Sequence, residues 1–318
     1  MDALERAHDV ARQLGIPHYQ FNCEERFTEN VLAPAWRDYA SARTPNPCVL
    51  CNERVKFPAL FECADALGAA GVATGHYARL EADPAGGWRL RRAIDAAKDQ
   101  SYFLGRLRPD WLPRLRFPLG ELRKPQVRQL ATAHGLAVAH RPESQDICFR
   151  EHAASGFGVF LAARFHATSR PGVFVDRAGR EVGRHGGIHG FTIGQRRGVG
   201  VALGRPAWVC RVDAQTGAVE LTTDAADLDA TALTVADLVW QVSPPTNASL
   251  LPLLVQARYR QAPVPANLAP LLPDWSRLRA RLCQPIRAAA PGQAAVFYDG
   301  DRLVASGWIE AAHCGSQP

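Results

Sequence analysis

The chain has 318 residues, a length that suits about two domains at roughly 150 residues each, and its 47% apolar and 21% charged content excludes a mainly disordered protein. No apolar run approaches the ~20 residues that span a bilayer, and the N-terminus, charged from Asp2, lacks the parts of a signal peptide, so the expectation is a cytoplasmic protein with no membrane partner. The net charge of +6 rests on arginine, since lysine occurs three times, at Lys56, Lys98 and Lys124, and residues 151–208 carry eight basic against three acidic side chains, which puts the excess where a polyanion is met.

Apolar positions Leu4, Ala7, Val10, Ala11 and Leu14 form a helical stripe over residues 2–14, stopped by Gly15. Ile16–Phe21 reads as a short strand, and 29–42 reads as helix. Thr44-Pro45-Asn46-Pro47 reads as an extended loop, because its two prolines forbid helix around them. Asn52 is a candidate cap for a helix that Gly68 ends. Gly71–Thr74 reads as a buried strand followed by Gly75-His76-Tyr77. Strand alternating with helix argues for a parallel α/β unit, in which ligands bind beyond the C-terminal ends of strands. Gly75-His76 occupies such a loop. Residues 77–94 read as a hairpin, Pro125–His134 as helix and 151–165 as helix. From Gly172 onward short Val/Ile/Phe runs alternate with turns: Val173–Val175, Gly190–Ile193, Trp208–Val212, Ala218–Thr222, Leu253–Tyr259, Ala294–Tyr298 and Leu303–Glu310. That texture points to small β units, the last a barrel or sandwich. Ser243–Leu253 and Ala262–Asp274 read as Pro/Ala/Leu-rich loops.

Eight cysteines in a chain of this type are not a disulfide framework. Those among polar, turn-forming residues are Cys48, Cys51 and Cys148. Cys48-x-x-Cys51 lies at a helix start, where a thiolate is stabilised. Three readings stay open there: a zinc site, for which no second ligand pair is found; a redox motif, whose usual strand lead-in is replaced by Pro-Asn-Pro; and a reactive thiol paired with a distant one. Cys148, flanked by Ile147 and Phe149, reads on its own as core rather than catalytic, and spacing does not decide it. Arg196-Arg197 among glycines suits a phosphate, and Arg258-Tyr259-Arg260-Gln261 suits stacking on RNA or an exposed hairpin face. His185 and His189 lie four apart, but in what reads as glycine-rich coil rather than helix, which argues against a metal site.

The segments Arg43-Thr44-Pro45-Asn46-Pro47-x-x-x-Cys51-Asn52, Ala73-Thr74-Gly75-His76-Tyr77, Lys98-Asp99-Gln100-Ser101-Tyr102, Phe117-Pro118-Leu119-Gly120-Glu121-Leu122, Ser144-Gln145-x-Ile147-Cys148-Phe149, Thr192-Ile193-Gly194-Gln195-Arg196-Arg197-Gly198, Arg258-Tyr259-Arg260-Gln261 and Pro291-Gly292-Gln293 occur in one order across nearly the whole chain. Together they resemble the bacterial tRNA-specific 2-thiouridylases. The resemblance implies an adenine-nucleotide α-hydrolase-like, Rossmann-like unit over 1–150, a small tRNA-binding unit over 151–207 and a C-terminal β-barrel over 208–318. It implies ATP-dependent, Mg-assisted replacement of the C2 oxygen of the wobble uridine in tRNAs for Lys, Glu and Gln. Cys51 matches the nucleophile and Cys148 the persulfide carrier. Gly75 matches an ATP contact and His76 a tRNA contact. Asn46, Pro47 and Cys48 match the target-base loop, while Lys98, Asp99, Gln100, Arg258, Tyr259 and Gln293 match tRNA contacts. Implied partners are tRNA and a sulfur-relay protein or cysteine desulfurase; no protein-bound metal is implied.

The pairing of thiols suits that chemistry. Adenylation turns a poor leaving oxygen into a good one, a persulfide delivers the sulfur, and transfer can end in a disulfide that a reductant reopens. The base is reached by unstacking, which an anticodon loop permits. Two departures stand out. Cys48 occupies a position expected to be Asp in many members, which leaves any acid/base role there in doubt and adds a rival disulfide partner for Cys51. The family's Ser-Gly-Gly-Val-Asp-Ser-Ser pyrophosphate loop has no counterpart, and no Walker-type loop replaces it. Met1 falls where the family is already in a helix, so the expectation is a start codon placed too late or a shortened chain, lacking most ATP binding as it stands. The alternatives are a tRNA-binding protein without catalysis and a thiol-redox or zinc protein built on Cys48 and Cys51.

Overall fold

The computed structural model describes residues 3–84, 86–136, 139, 156–168, 170–246 and 250–315. Cys148 lies outside the described residues, as does the N-terminal part of the helix expected over 151–165.

Helix α1 (Ala3–Leu14) matches its stripe and ends at Gly15 with φ +66°. Ile16–Phe21 is not a strand. It carries strand-forming side chains, but no described strand lies beside it to take its backbone hydrogen bonds, and sequence alone does not supply that partner. Two rods follow. The first runs through α2 (Glu24–Phe27), a π-turn at Thr28–Leu32 and α3 (Ala33–Ala40). The second runs through α4 (Pro47–Cys51), a π-turn at Asn52–Lys56 and α5 (Phe57–Ala66). Each π-turn is followed, after one intervening residue, by a proline, Pro34 or Pro58. A proline lacks the amide for the i−4 carbonyl and its ring crowds that carbonyl; one wide turn relieves both. The second rod starts earlier than expected. Its cap is Asn46, whose Oδ1 accepts from the Val49 amide at 3.4 Å, and Asn52 lies inside the rod.

Strand β1 (Val72–Ala73) pairs in parallel with β4 (Leu115–Arg116), as the α/β reading expects. Between them, β2 (Ala78–Ala82) and β3 (Trp88–Arg92) form the expected hairpin, which joins the barrel sheet through Arg91 opposite Arg302 of β14 (Arg302–Cys314). Short α6 (Ser101–Leu104) precedes β4, and α7 (Lys124–Ala133) follows it. Helix α8 (Phe157–Arg164) leads to β5 (Gly172–Val175), β6 (Glu181–His185), β7 (Trp208–Val212) and β8 (Val219–Thr222). These four form one sheet in the order β6-β5-β8-β7. The middle unit therefore reaches Thr222, past the boundary expected at 207, because β8 returns to pair in parallel with β5. Gly190–Ile193 forms no strand; Ile188–Gly190 is a 3₁₀ turn.

The barrel consists of β9 (Asp229–Trp240), β10 (Leu251–Gln256), β11 (Val264–Pro270), β12 (Arg277–Arg287), β13 (Ala294–Asp299) and β14, all antiparallel. Pairing of β13 with both β10 and β14 closes the circuit. The loop expected over 262–274 thus contains a strand. Pro265 and Pro270 obscured it, but they sit near its two ends, where a missing amide costs least.

Strand β13 positions the site. Along it Ala295 and Phe297 face the barrel interior, with Leu233, Val255 and Trp275. Its alternate residues Ala294, Val296 and Tyr298 face outward into a second core with Phe57, Val72, Tyr102, Leu104 and Leu115. The run Ala294–Tyr298 is buried throughout because each face of the strand meets a different core. The α/β unit and the barrel are therefore held by shared apolar packing.

Candidate active site

The N-terminus of the second rod abuts the barrel. Asn46 is buried, and its Nδ2 donates to Tyr102 Oη at 3.2 Å and to Gln293 Oε1 at 3.4 Å. Tyr102 Oη donates to the Ala294 carbonyl at 3.0 Å. Gln293 Nε2 donates to the carbonyls of Thr44 (3.2 Å) and Pro45 (2.8 Å), and the Thr44 amide donates to the Pro291 carbonyl at 2.7 Å. Gly292, at φ +91°, permits this approach: a Cβ there would stand 2.7 Å from the Thr44 oxygen. The extended loop is thus stitched to the barrel along its length.

Pro47 opens the rod, where its missing amide is not needed. Cys48 follows, half-buried, in the first turn. Cys51 lies one turn further along the same face and packs against the cluster of Val31, Leu50 and Val55, which Cys23, Phe27 and Trp308 also adjoin. From the barrel, Tyr259 covers Phe103, with ring centroids 4.3 Å apart, and lies 6.3 Å from the Tyr102 ring. Arg260 stacks over Tyr259 at 5.4 Å, and Arg258 is exposed next to it. Burial pushes the Tyr102 phenol well above its ordinary pKa, so it stays protonated.

A second cluster surrounds Tyr77. Exposed Gly75 follows β1, and a Cβ there would touch only Leu119 Cδ1, at 3.7 Å. His76 stacks on Phe57 (5.7 Å) and meets Phe117 edge-on (6.2 Å), while its Nδ1 shares a 2.8 Å hydrogen bond with the Thr74 hydroxyl. Burial, helped by the neighbouring Lys56 charge, lowers its pKa to about 4, so the ring is neutral near pH 7. Gln100 Oε1 accepts from the Tyr77 amide at 2.9 Å. Tyr77 Oη is buried with no hydrogen-bond partner among the described residues.

The segment from Lys98 to Phe103 joins the two clusters. Asp99 is buried. Its carboxylate accepts from Arg92 Nε (2.8 Å), the amides of Ala93 and Ser101, and Ser101 Oγ (3.0 Å), which also meets Tyr298 Oη at 3.1 Å. Asp99 shapes this segment from within, while Lys98, half-buried, lies beside it. Further along, buried Arg106 donates to Glu53 Oε1 (3.0 Å), to the Asp237 carbonyl (2.6 Å) and to Asp237 Oδ2 (3.0 Å), over the face of Trp308. It ties the cysteine rod to β9 and β14. Sequence reasoning gave no role to Tyr102, Phe103 or Arg106. Tyr102 stood inside a quoted motif, but its partners come from residues 46 and 294, and only the fold brings them together.

The structure is thus a multidomain protein in which an α/β unit carries a cysteine rod clamped to an antiparallel barrel, with an aromatic–arginine face alongside. The descriptions of three family signatures fit that layout: a tRNA methyl transferase HUP domain over residues 1–152, a tRNA methyl transferase PRC-barrel domain over 160–222 and an aminomethyltransferase β-barrel domain over 230–309. The chain is 47% identical to the tRNA-specific 2-thiouridylase MnmA of Sorangium cellulosum, across 98% of this chain and 80% of that one. It is 43% identical to the MnmA of Geobacter metallireducens (98% and 83%) and 43% identical to that of Heliobacterium modesticaldum (97% and 80%). The chain belongs to the tRNA-specific 2-thiouridylase family.

Proposed function

We propose that the chain is a tRNA-uridine 2-sulfurtransferase that replaces the C2 oxygen of the wobble uridine with sulfur. Family membership supports this, and so does one observation above the others: Asn46, matched to the target-base loop, and Tyr259, matched to an RNA contact, come from distant parts of the chain yet both meet Tyr102, with Gln293 bonded to Asn46. The signature descriptions speak of methyl transfer; the cysteines at 51 and 148 favour sulfur.

ATP is a substrate in this reading, with Mg²⁺ as its escort, and it supplies the adenylyl group that makes the C2 oxygen a leaving group. The open surface at Gly75, beyond the C-terminal end of β1, suits a nucleotide contact. The terminal sulfur of a Cys148 persulfide attacks C2, and the oxygen leaves with AMP. The Cys51 thiolate then attacks Cys148 Sγ. The S–S bond to the new thiouridine breaks, its electron pair stays on the thiouridine sulfur, and a Cys51–Cys148 disulfide remains for a two-electron dithiol reductant. Neutral His76 donates or accepts a hydrogen bond without carrying charge into the site. Arg258 and Tyr259 offer phosphate pairing and base stacking, and exposed Arg196 and Arg197 extend the basic surface. A sulfur-relay protein or cysteine desulfurase loads Cys148, and the reaction is cytoplasmic, where tRNA and reductant are found.

The test is the 2-thiouridine content of tRNA, read by mass spectrometry, in a strain whose only copy carries Cys148→Ser. Loss of 2-thiouridine is expected. Normal content refutes the role of Cys148 as carrier, and tRNA binding without thiolation by the unmutated protein favours the catalytically silent alternative.

A further inference from the structure

We infer that Tyr102 is a positioning residue that sets the first turn of the cysteine rod from the barrel, so that one side chain serves both the thiols and the RNA-facing aromatics. The inference rests on the function proposed above for its meaning, but not for its geometry. Tyr102 Oη is the junction of two hydrogen bonds, one from Asn46 Nδ2 and one to the Ala294 carbonyl of β13. Asn46 in turn caps Val49, and its carbonyl accepts from the Leu50 amide at 3.3 Å. The hydroxyl therefore fixes the residue that starts the turn carrying Cys48. The ring of the same residue packs against Phe103, with centroids 5.5 Å apart, and faces Tyr259.

Gln293 completes the latch. Its Nε2 is engaged by two carbonyls and its Oε1 by Asn46. Its amide is thus spent within the protein, and it acts on RNA through the loop it holds. A base stacking on Tyr259 presses on the ring whose hydroxyl orients Asn46. Seating of the RNA and presentation of the cysteine turn are in this way mechanically joined.

The test separates hydroxyl from ring. Tyr102→Phe keeps the stacking and removes both hydrogen bonds. Its expected signature is local: amide hydrogen exchange at Val49 and Leu50 accelerates about tenfold, and alkylation of Cys48 by iodoacetamide, read by peptide mass spectrometry, changes several-fold. Cys23 and Cys210 keep their rates. Ser101→Ala is the control, since it also removes two hydrogen bonds one residue away, to Tyr298 and to Asp99, but none to Asn46, and it leaves Cys48 unchanged. Affinity of Tyr102→Phe for a wobble-uridine anticodon stem-loop, measured by fluorescence anisotropy, stays within twofold, because the stacking face is intact. Unchanged exchange at residues 48–51 overturns the inference. So does an equal effect from Ser101→Ala, which reduces Tyr102 to ordinary interface packing. If the unmutated protein does not bind the stem-loop, the proposed function fails while the exchange result still decides the latch.

Discussion

The two ends of the site are built differently. At the barrel end, Asn46, Tyr102 and Gln293 spend their polar atoms on one another and on backbone carbonyls, and Gly292 lets two chain segments touch. At the Gly75–Tyr77 end, Gly75 is exposed with one distant neighbour, and Tyr77 Oη is buried without a partner among the described residues. The first end is finished before any ligand arrives. The second is a rim with room on it. Groups whose position must be exact are best held by partners already satisfied, and the first turn of the cysteine rod is held in that way. The open surface at Gly75, beyond the C-terminal end of β1, leaves access at the other.

Removing the strut behind the finished end is the strongest way to break this contrast. Arg106→Ala leaves half-buried Glu53 and the Asp237 carbonyl without their cation. A loss of about 3 kcal/mol is expected, read as a lowered denaturation midpoint, with the cysteine rod exchanging faster than the middle unit. A uniform change across all three units contradicts the strut.

One substitution made at both ends gives the sharper comparison. Gly292→Ala puts a Cβ 2.7 Å from the Thr44 oxygen at a backbone conformation that L side chains rarely adopt, and costs on the order of 2 kcal/mol. Gly75→Ala has open space and ordinary φ, so its effect stays within about 0.5 kcal/mol. Equal losses in the two melting curves would remove the distinction between a built end and an open one.

How much of this was legible in sequence follows the same line. The helix stripe expected over 2–14, the hairpin expected over 77–94 and the β texture after Gly172 rest on local periodicity, and among the described residues they hold, Gly190–Ile193 excepted. Ile16–Phe21 and Val264–Pro270 were misassigned in opposite directions. The first has strand chemistry without a described neighbour; the second has prolines but neighbours on both sides. Strand identity depends on partners far along the chain. The site divides likewise. Cys51 and Asn46 were marked by their motif, but Arg106 draws its meaning from Glu53 and Asp237, 53 and 131 residues away. Burial of Asp99 was equally hidden, because nothing in Lys-Asp-Gln-Ser names Arg92 or the Ala93 amide as partners of its carboxylate.

The last prediction concerns the open end and acid. His76 takes up a proton near pH 6.5 in the unfolded chain but only near pH 4 when folded, because burial and Lys56 oppose the charge. Between those values the unfolded chain binds more protons, so stability falls as pH drops from 6.5 toward 4 and levels off below. His76→Gln keeps a hydrogen-bonding partner for Thr74 and cannot titrate. Its unfolding midpoint in urea is therefore expected to lose less between pH 6.5 and 4.5 than the unmutated protein, with the two curves close at pH 7.5. Parallel curves over that range would mean that the His76 ring is already hydrated in the folded state, and that the open end reaches deeper than its aromatic walls suggest.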